Sequence, residues 1–441
     1  MNTSSSELRL FRTLKAPLSV QIEVTENCNH RCTHCYNYWK KGDKCIFENM
    51  TFATAKKVAD EVINSQVFGV TLTGGEPFLN FDVTMYLVNR FKEAGIQVSI
   101  NSNLTLITPS IIDELKEANV LGILTSILGD NEEVHDKITC TKGSFLRLLE
   151  ALEMCKEKNF PVSANMVVTR ENLDTIENVA KIVNDYGCVD FTFTIALQPE
   201  CDIDNSDRYL SVEELKVLFN RSLKVTKRFL YGARCLIEAP YCFLCELDEP
   251  SAYQITSCGA GTSSCVIGSN GNVRDCPLNS EIYGNLCLEP LKTIWLRMDK
   301  WRTTELIPDD CLSCKLLGEC FGGCRRQSYV ASHLSSFKAN NPMMVKANED
   351  KAFALLQENN LTQTNDVILG NQIQFEFDNM RTEDFGGVVV NGDRRIFLDE
   401  EAYNFISSVL SDHKYAISDI GYEYEDFLKS LVFMGFAKTN N

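Results

Sequence analysis

From residue 20 to about 200 the chain alternates short apolar, β-branched runs with segments whose apolar positions recur at helical spacing. The runs are SVQIEV, VFGVTLTGG, IQVSINSNL, VLGILTSILG, PVSANMVVT and VDFTFTIAL, and stretches such as TFATAKKVADEVINS and GSFLRLLEALEMCKEKN separate them. Six such units predict βα repeats around a parallel sheet, a partial (β/α)6 barrel. By analogy with closed (β/α) barrels, the chemistry is expected at the carboxyl ends of the strands. From about 240 the periodicity fades into Cys, Gly and Ser with short strands, and more than half of the nineteen cysteines lie between 235 and 324. A segment that poor in pattern needs metal to fold. The stretch SSFKANNPMMVKANEDKAFALLQENNLTQTND then reads as a polar or helical tether. Beyond it, FGGVVVNGDRRIFLDEEAYNFISSVL and YEDFLKSLVFMGFAKTN predict a strand pair turning at Asn391-Gly392 and two amphipathic helices. The expected division is an extension over 1–19, a barrel over 20–235, a Cys-rich domain over 236–345, a linker over 346–368 and a small α+β domain over 369–441.

Composition narrows the setting. With 441 residues, 44% hydrophobic and 23% charged, the chain has the balance of a globular protein with more than one core. No apolar run is long enough to span a bilayer, and the start lacks a hydrophobic stretch of signal-peptide type, so a cytoplasmic protein without a membrane partner is expected. Nineteen cysteines there point to metal sites in preference to a disulfide framework. A net charge of −17 disfavours nucleic acid, whose binding rests on neutralising phosphates.

The first candidate site is CNHRCTHCYNYW, with Cys28, Cys32 and Cys35 in the spacing CxxxCxxC directly after the first strand. Three thiolates can hold a [4Fe-4S] cube and leave one iron without a protein ligand, where a small molecule can chelate through an amine and a carboxylate. The other reading is a zinc knuckle completed by His30 or His34.

The spacing, with Tyr36 after the last Cys, resembles the signature of the radical S-adenosylmethionine superfamily. One unit later TLTGGEPFLN resembles that family's GGE element at Gly74, Gly75, Glu76 and Pro77. The resemblance implies a TIM-like barrel and a [4Fe-4S] cluster that binds S-adenosylmethionine. The glycines allow close backbone approach, and the carboxylate is expected to accept from the cofactor's amino group. Asn101, Asn103 and Ser126 stand where related enzymes place ribose and methionine contacts, with polar caps on strand ends as the alternative. Val167 and Leu197 are candidates for the adenine pocket or for plain core. The acidic residue usual in the family before the glycine of TSILGD is here Leu128, and the Arg often found after its His-Asp pair is Thr139.

The second cysteine field holds Cys258, Cys265 and Cys276, then CLSCKLLGECFGGC with Cys311, Cys314, Cys320 and Cys324. It resembles the SPASM extension of radical enzymes, which implies one or two auxiliary iron-sulfur clusters in crossed order: Cys258 and Cys276 with Cys324, and Cys311, Cys314 and Cys320 together. Cys265 is the candidate to complete the first set. The family's usual seventh cysteine is missing, and Met343 or Met344 stands at its place. The second cluster is then open at one iron, closed by another group such as His333, or absent. Cys242 and Cys245 form a further CxxC pair that could supply the missing ligand, with small core residues as the default reading. Cys45, Cys140, Cys155, Cys188, Cys201, Cys235 and Cys287 show no ligand spacing.

The last domain resembles the small winged-helix-like domains, similar to the pyrroloquinoline quinone chaperone, that recognise leader peptides. Physically, such a domain can accept an extended peptide along a sheet edge. The combined resemblance implies a maturase acting on a ribosomally synthesised precursor peptide. Its 5′-deoxyadenosyl radical takes hydrogen from the peptide to form a thioether or carbon–carbon crosslink, with an electron donor such as flavodoxin or ferredoxin. The alternatives are an anaerobic sulfatase maturase making formylglycine, a peptide epimerase, and a non-catalytic metal-binding scaffold.

Overall fold

The computed structural model describes residues 8–37, 39, 47–197, 208–231, 234–253, 257–332, 335–364, 369–392, 394–421 and 424–440. Cys45, Cys201 and His333 lie outside them. The chain divides into two compact units, 1–352 and 353–441.

In the first unit, β1 (Ser19–Glu23), β2 (Gly69–Thr73), β3 (Gln97–Asn101), β4 (Ile123–Ser126), β5 (Val162–Val168) and β6 (Asp190–Ile195) are each followed by helical segments. These include α1 (Phe52–Asn64), α2 (Phe81–Glu93), α3 (Pro109–Glu117), α4 (Glu132–Thr139), α5 (Ser144–Glu157), α6 (Ile176–Asp185) and α7 (Val212–Phe229). Neighbouring strands of the six pair in parallel in sequential order. The fold is the partial TIM-like barrel that the periodicity predicts.

Helices and strands follow from local signals. In α1 the Thr51 hydroxyl accepts from the Thr54 N–H as an N-cap, and Ala55, Val58, Ala59 and Val62 are buried at helical spacing. At the start of α7, Ser211 and Glu214 form a reciprocal capping box. The inner strand residues Val20, Ile22, Val70, Leu72, Val98, Ile100, Ala164 and Met166 are buried in one continuous core. Burial on both faces is what a parallel sheet flanked by helices requires.

One strand was not legible from composition. In the Cys-rich stretch, β7 (Ser264–Ile267) pairs in parallel with β1 on the side away from β2, and β8 (Asn272–Arg274) and β9 (Gly284–Asn285) follow antiparallel. Among the described residues this makes a nine-stranded sheet. The Cys-rich segment thus begins as an extension of the barrel's own sheet. The three tryptophans are buried, and Trp295 Nε1 donates to the Leu14 carbonyl at 2.8 Å.

The second unit has its own core of Ile373, Phe375, Val389, Leu398, Tyr403, Ile406, Leu428 and Leu431. Two antiparallel three-stranded sheets enclose it: β10 (Gln372–Phe375) between β14 (Lys414–Ala416) and β15 (Ala437–Asn440), and β11 (Asn379–Glu383), β12 (Gly386–Asn391) and β13 (Arg394–Leu398) in sequence. The strand pair predicted around Asn391-Gly392 is β12 with β13, and Gly392 takes the positive φ of +60° that such a turn favours. Helices at Glu400–Ser408 and Glu425–Met434 pack on this core. Strands β10, β11 and β15 carry too short a pattern to have been read in advance.

Candidate active site and cysteine cavities

The carboxyl ends of β1 to β6 open on a cavity of about 340 Å³. Cys28, Cys32 and Cys35 line it from the loop after β1, together with Tyr36, Gly74 and Gly75. That loop is held at both ends. Its base is closed by the Glu26 N–H donating to Glu48 O at 2.8 Å, and its middle is tied to the end of α4 by Arg31 N to Thr139 O at 3.0 Å and Thr33 N to Ile138 O at 2.8 Å. Thr139, which stands where the family often has Arg, thus supports the loop through its backbone.

Gly74 and Gly75 are required by close approach. Gly74 has a φ of +132°, and a Cβ on Gly75 would lie 1.9 Å from Asn27 O. The contact is reinforced by Gly75 N donating to Thr25 O at 2.7 Å and Asn37 Nδ2 donating to Gly74 O at 3.1 Å.

Glu76 links two turns at the strand ends. Its carboxylate is fully buried and accepts from the Phe78 N–H at 3.2 Å, the Ser102 hydroxyl at 2.8 Å and the Asn103 N–H at 2.8 Å. Neither Glu76 nor Pro77 lines the cavity. The side chain stitches the turn after β2 to the turn after β3, and burial pushes its carboxyl up to about 7 against those three donors. Of the GGEP element, Gly74 and Gly75 line the cavity, and the Glu76 carboxylate is engaged by these three donors.

Asn101, Asn103 and Ser126 all line the cavity, as do Val167 and Leu197. The Asn103 side chain is committed, donating to Asn29 Oδ1 at 2.7 Å and accepting from Thr105. Asn165 on β5 was not singled out from sequence. It faces the same space, and its Oδ1 accepts from the Thr194 hydroxyl at 2.9 Å. His135 also lines the cavity; its Nδ1 accepts from the Leu128 N–H at 3.2 Å, and burial, with the neighbouring His30, pushes it down to about 4. It is neutral at physiological pH. Burial, with Glu23 and Cys35 nearby, raises the Tyr36 phenol.

Beneath this loop Glu23 and Arg274 form a fully buried ion pair in which Arg274 Nη2 meets both carboxylate oxygens at 2.5 Å. Arg274 Nη1 also donates to Asn279 O at 2.8 Å and Cys276 O at 3.3 Å. The pair joins the first barrel strand to the segment carrying Cys276.

Cys258, Cys276 and Cys324 lie within electrostatic reach of one another, with Glu238 and Arg325 beside them, and burial raises all three thiols, Cys324 to about 12. Cys324 precedes the helix Arg325–Ala331, and its sulfur accepts from the N–H groups of Arg326 and Gln327. Next to it, the buried Arg325 Nε, Gln327 Oε1 and Ser328 Oγ have no hydrogen-bond partner among the described residues. Cys265 is not in this set. It sits on β7 in register with Val20, buried, with Asp275 and Arg302 as its charged neighbours. The sheet takes the residue that spacing offered as a ligand.

Cys311, Cys314 and Cys320 line a separate small cavity of about 40 Å³, together with Cys242 and Met344. Met343 is instead buried in the core. Cys155 and Cys188 are buried neighbours in the barrel, and Cys140 is exposed.

The donor sets fit iron-sulfur groups. Cys28, Cys32 and Cys35 line one cavity and Cys311, Cys314 and Cys320 another, and thiolate is the donor that iron-sulfur clusters take; among the described residues no three His, Cys, Asp or Glu side chains form a single-ion site. At the wide cavity the buried Asn37 Oδ1 accepts no hydrogen bond from the described residues.

A barrel with three thiols on the loop after its first strand, and room beside them, is the frame of an enzyme that holds a cluster and a small cofactor together. The Radical SAM superfamily profile matches residues 22–183, so the barrel is a radical SAM domain, of the superfamily whose members bind a [4Fe-4S] cluster and S-adenosylmethionine. It is an enzyme. An AdoMet-dependent heme synthase of Methanosarcina barkeri is 29% identical over 336 residues, 72% of this chain and 93% of that protein. The mycofactocin maturase MftC of Mycolicibacterium smegmatis is 29% identical over 325 residues, 71% and 79% of the two chains. The solved structure of SuiB from Streptococcus suis, bound to its precursor peptide SuiA, shares the fold with a TM-score of 0.58 at 18% identity, covering 75% of this chain and 76% of that one.

Proposed function

We propose that the chain is a peptide maturase that modifies a ribosomally synthesised precursor peptide, forming a thioether or carbon–carbon crosslink. Cys28, Cys32 and Cys35 would hold the cluster, with S-adenosylmethionine beside it against Gly74, Gly75, Asn101 and Ser126. When bound, that pair supplies a 5′-deoxyadenosyl radical that takes hydrogen from an unactivated carbon. The protein's part is to bind, orient and exclude water: the strand-end residues close the floor, and neutral His135 and raised Tyr36 present no charge to the cavity. Cys258, Cys276 and Cys324, and Cys311, Cys314 and Cys320, would hold auxiliary clusters.

The observation that carries the peptide reading is the second unit, whose two antiparallel sheets end in edge strands beside helices, a form that accepts an extended peptide as an added strand. The maturase relative and the peptide-bound structure agree with it, as proteins that share the barrel. The heme synthase relative names the rival, an enzyme of tetrapyrroles. We place the enzyme in the cytoplasm with flavodoxin or ferredoxin as electron donor; among the described residues no helix is long and apolar enough to cross a membrane.

The test is anaerobic co-expression with the short peptide encoded beside this protein, in wild type and in a Cys28→Ala, Cys32→Ala, Cys35→Ala variant, followed by high-resolution mass spectrometry. Loss of two hydrogens per modification, in wild type alone, is the expected result, and alkylation then separates thioether from carbon–carbon bonds. An unchanged mass with deuterium incorporated from solvent would make it an epimerase. An unchanged peptide, with turnover of an iron tetrapyrrole instead, would overturn the reading.

A further inference from the structure

We propose that Cys242 is the fourth thiolate ligand of the second auxiliary cluster, completing a four-cysteine site with Cys311, Cys314 and Cys320 in place of the ligand missing after Cys324. The inference rests on the reading of this region as an iron-sulfur site.

The four residues line one cavity of about 40 Å³. Each thiol is within electrostatic reach of others in the set: Cys311 with Cys320, Cys242 and Cys314, and Cys320 with Cys242 and Cys314. Three of the sulfurs also accept from backbone N–H groups. Val345 N lies 3.3 Å from Cys242 Sγ, Leu316 N 3.4 Å from Cys314 Sγ and Tyr241 N 3.4 Å from Cys320 Sγ. Hydrogen bonds to the sulfurs are among the features that tune cluster sites. Cys242 is treated by the fold as a member of this set.

Its position is fixed from two sides. Asn348 Nδ2 donates to the Cys242 carbonyl at 3.0 Å, and the Val345 N–H holds the sulfur. The segment carrying Met344, where the expected cysteine would stand, therefore delivers no thiol but orients one. Met344 Sδ lies 3.4 Å from Cys311 Sγ and borders the same cavity. A thioether is a weaker ligand for cluster iron than a thiolate, so with four thiolates present Met344 packs over the sulfur. Cys245, the other half of the CxxC pair, is buried outside the cavity.

The consequence is a coordinatively complete site. Four thiolates, one to each iron of a cube, leave no iron for a substrate thiol.

The test uses the full chain with Cys28, Cys32 and Cys35 replaced by Ala, reconstituted anaerobically with ferrous iron and sulfide, so that only auxiliary clusters remain. Iron and sulfide content, Mössbauer spectra and the electron paramagnetic resonance of the oxidised protein are read. The parent is expected to hold roughly eight irons, two cubes. Adding Cys242→Ala is expected to lower this to roughly four, or to give the signal of a three-iron cluster, while Cys245→Ala and Met344→Ala leave it unchanged. Full iron and an unaltered spectrum in Cys242→Ala would overturn the proposal, as would loss in Met344→Ala alone. A parent with iron for only one cluster or none would overturn it by a different route, by removing the second auxiliary cluster itself. Because Cys242→Ala can disturb folding, the wild type is also alkylated in the loaded state and mapped by mass spectrometry. Cys140 is expected to be modified and Cys242 protected until iron is chelated away; alkylation of Cys242 in the loaded protein would refute the assignment.

Discussion

Two cavities gather cysteine in this molecule, one of about 340 Å³ at the barrel mouth and one of about 40 Å³ in the Cys-rich segment. The wide one has three thiols from a single loop and a floor of strand-end amides and hydroxyls. The narrow one has four thiols brought from two distant segments and a wall of apolar atoms, including Met344. The difference teaches that the number of thiols and the free space beside them vary together. The cavity lined by three thiols is wide, and the one lined by four is narrow. On that reading the barrel site exchanges ligands and the narrow site only stores and passes electrons.

The largest test of how the two depend on each other is the buried pair between Glu23 and Arg274, which ties the first barrel strand to the Cys276 segment. Arg274→Met leaves an uncompensated buried carboxylate, and removing one partner of such a pair costs about 3–5 kcal/mol. Chemical denaturation should show that loss. If the midpoint barely moves, the barrel and the Cys-rich layer are stable separately and the comparison concerns two independent sites. The double variant Glu23→Met, Arg274→Met should recover much of the loss, because it removes the stranded charge.

A smaller effect is expected at the floor of the wide cavity. Gly75→Ala would put a Cβ 1.9 Å from Asn27 O, directly before Cys28. The loop must shift, and displacement of a positioned group by about an ångström costs about 10²-fold in rate. Formation of 5′-deoxyadenosine should fall by that order while the iron held in the narrow cavity stays constant. An equal loss from both would show that the two are not separable.

These sites differ in how far sequence reveals them. The barrel was legible because Val and Ile recur in short runs with helical spacing between, and because CxxxCxxC and GGEP place their residues on adjacent turns by local spacing alone. The narrow cavity was legible only in part. Cys311, Cys314 and Cys320 are local to one string, but Cys242 arrives from a turn whose Tyr241 lies 79 residues before Cys320, and no pattern along the chain encodes that return. Cys265, the candidate to complete the first set, lies in TSSCVIGS, whose β-forming residues make a strand that pairs with β1. Glu23 and Arg274, separated by 251 residues, carry no signal beyond their charge. At Glu76 the sequence supplied the element, and the structure adds the three donors that its carboxylate accepts from.

That carboxylate gives the smallest and most specific expectation. The Glu76 carboxyl is held near 7 by burial, above its ordinary value of 4.5, with three donors facing it. A raised folded-state value means that its contribution to stability is complete below 4.5 and is lost as pH rises through about 7. Glu76→Gln removes the titration but places an amide N–H₂ among three donors, so it should cost about 1–3 kcal/mol at low pH, the scale of an unsatisfied buried polar group. The gap between wild type and variant should then narrow as pH is raised from 5 to 8, because only the wild type acquires a buried charge. Thermal melting of both proteins across that range reads the gap directly. A gap that widens with pH would mean that the three hydrogen bonds outweigh burial and the carboxylate is ionised throughout. A variant with unchanged stability and lost S-adenosylmethionine binding would assign Glu76 to the cofactor instead.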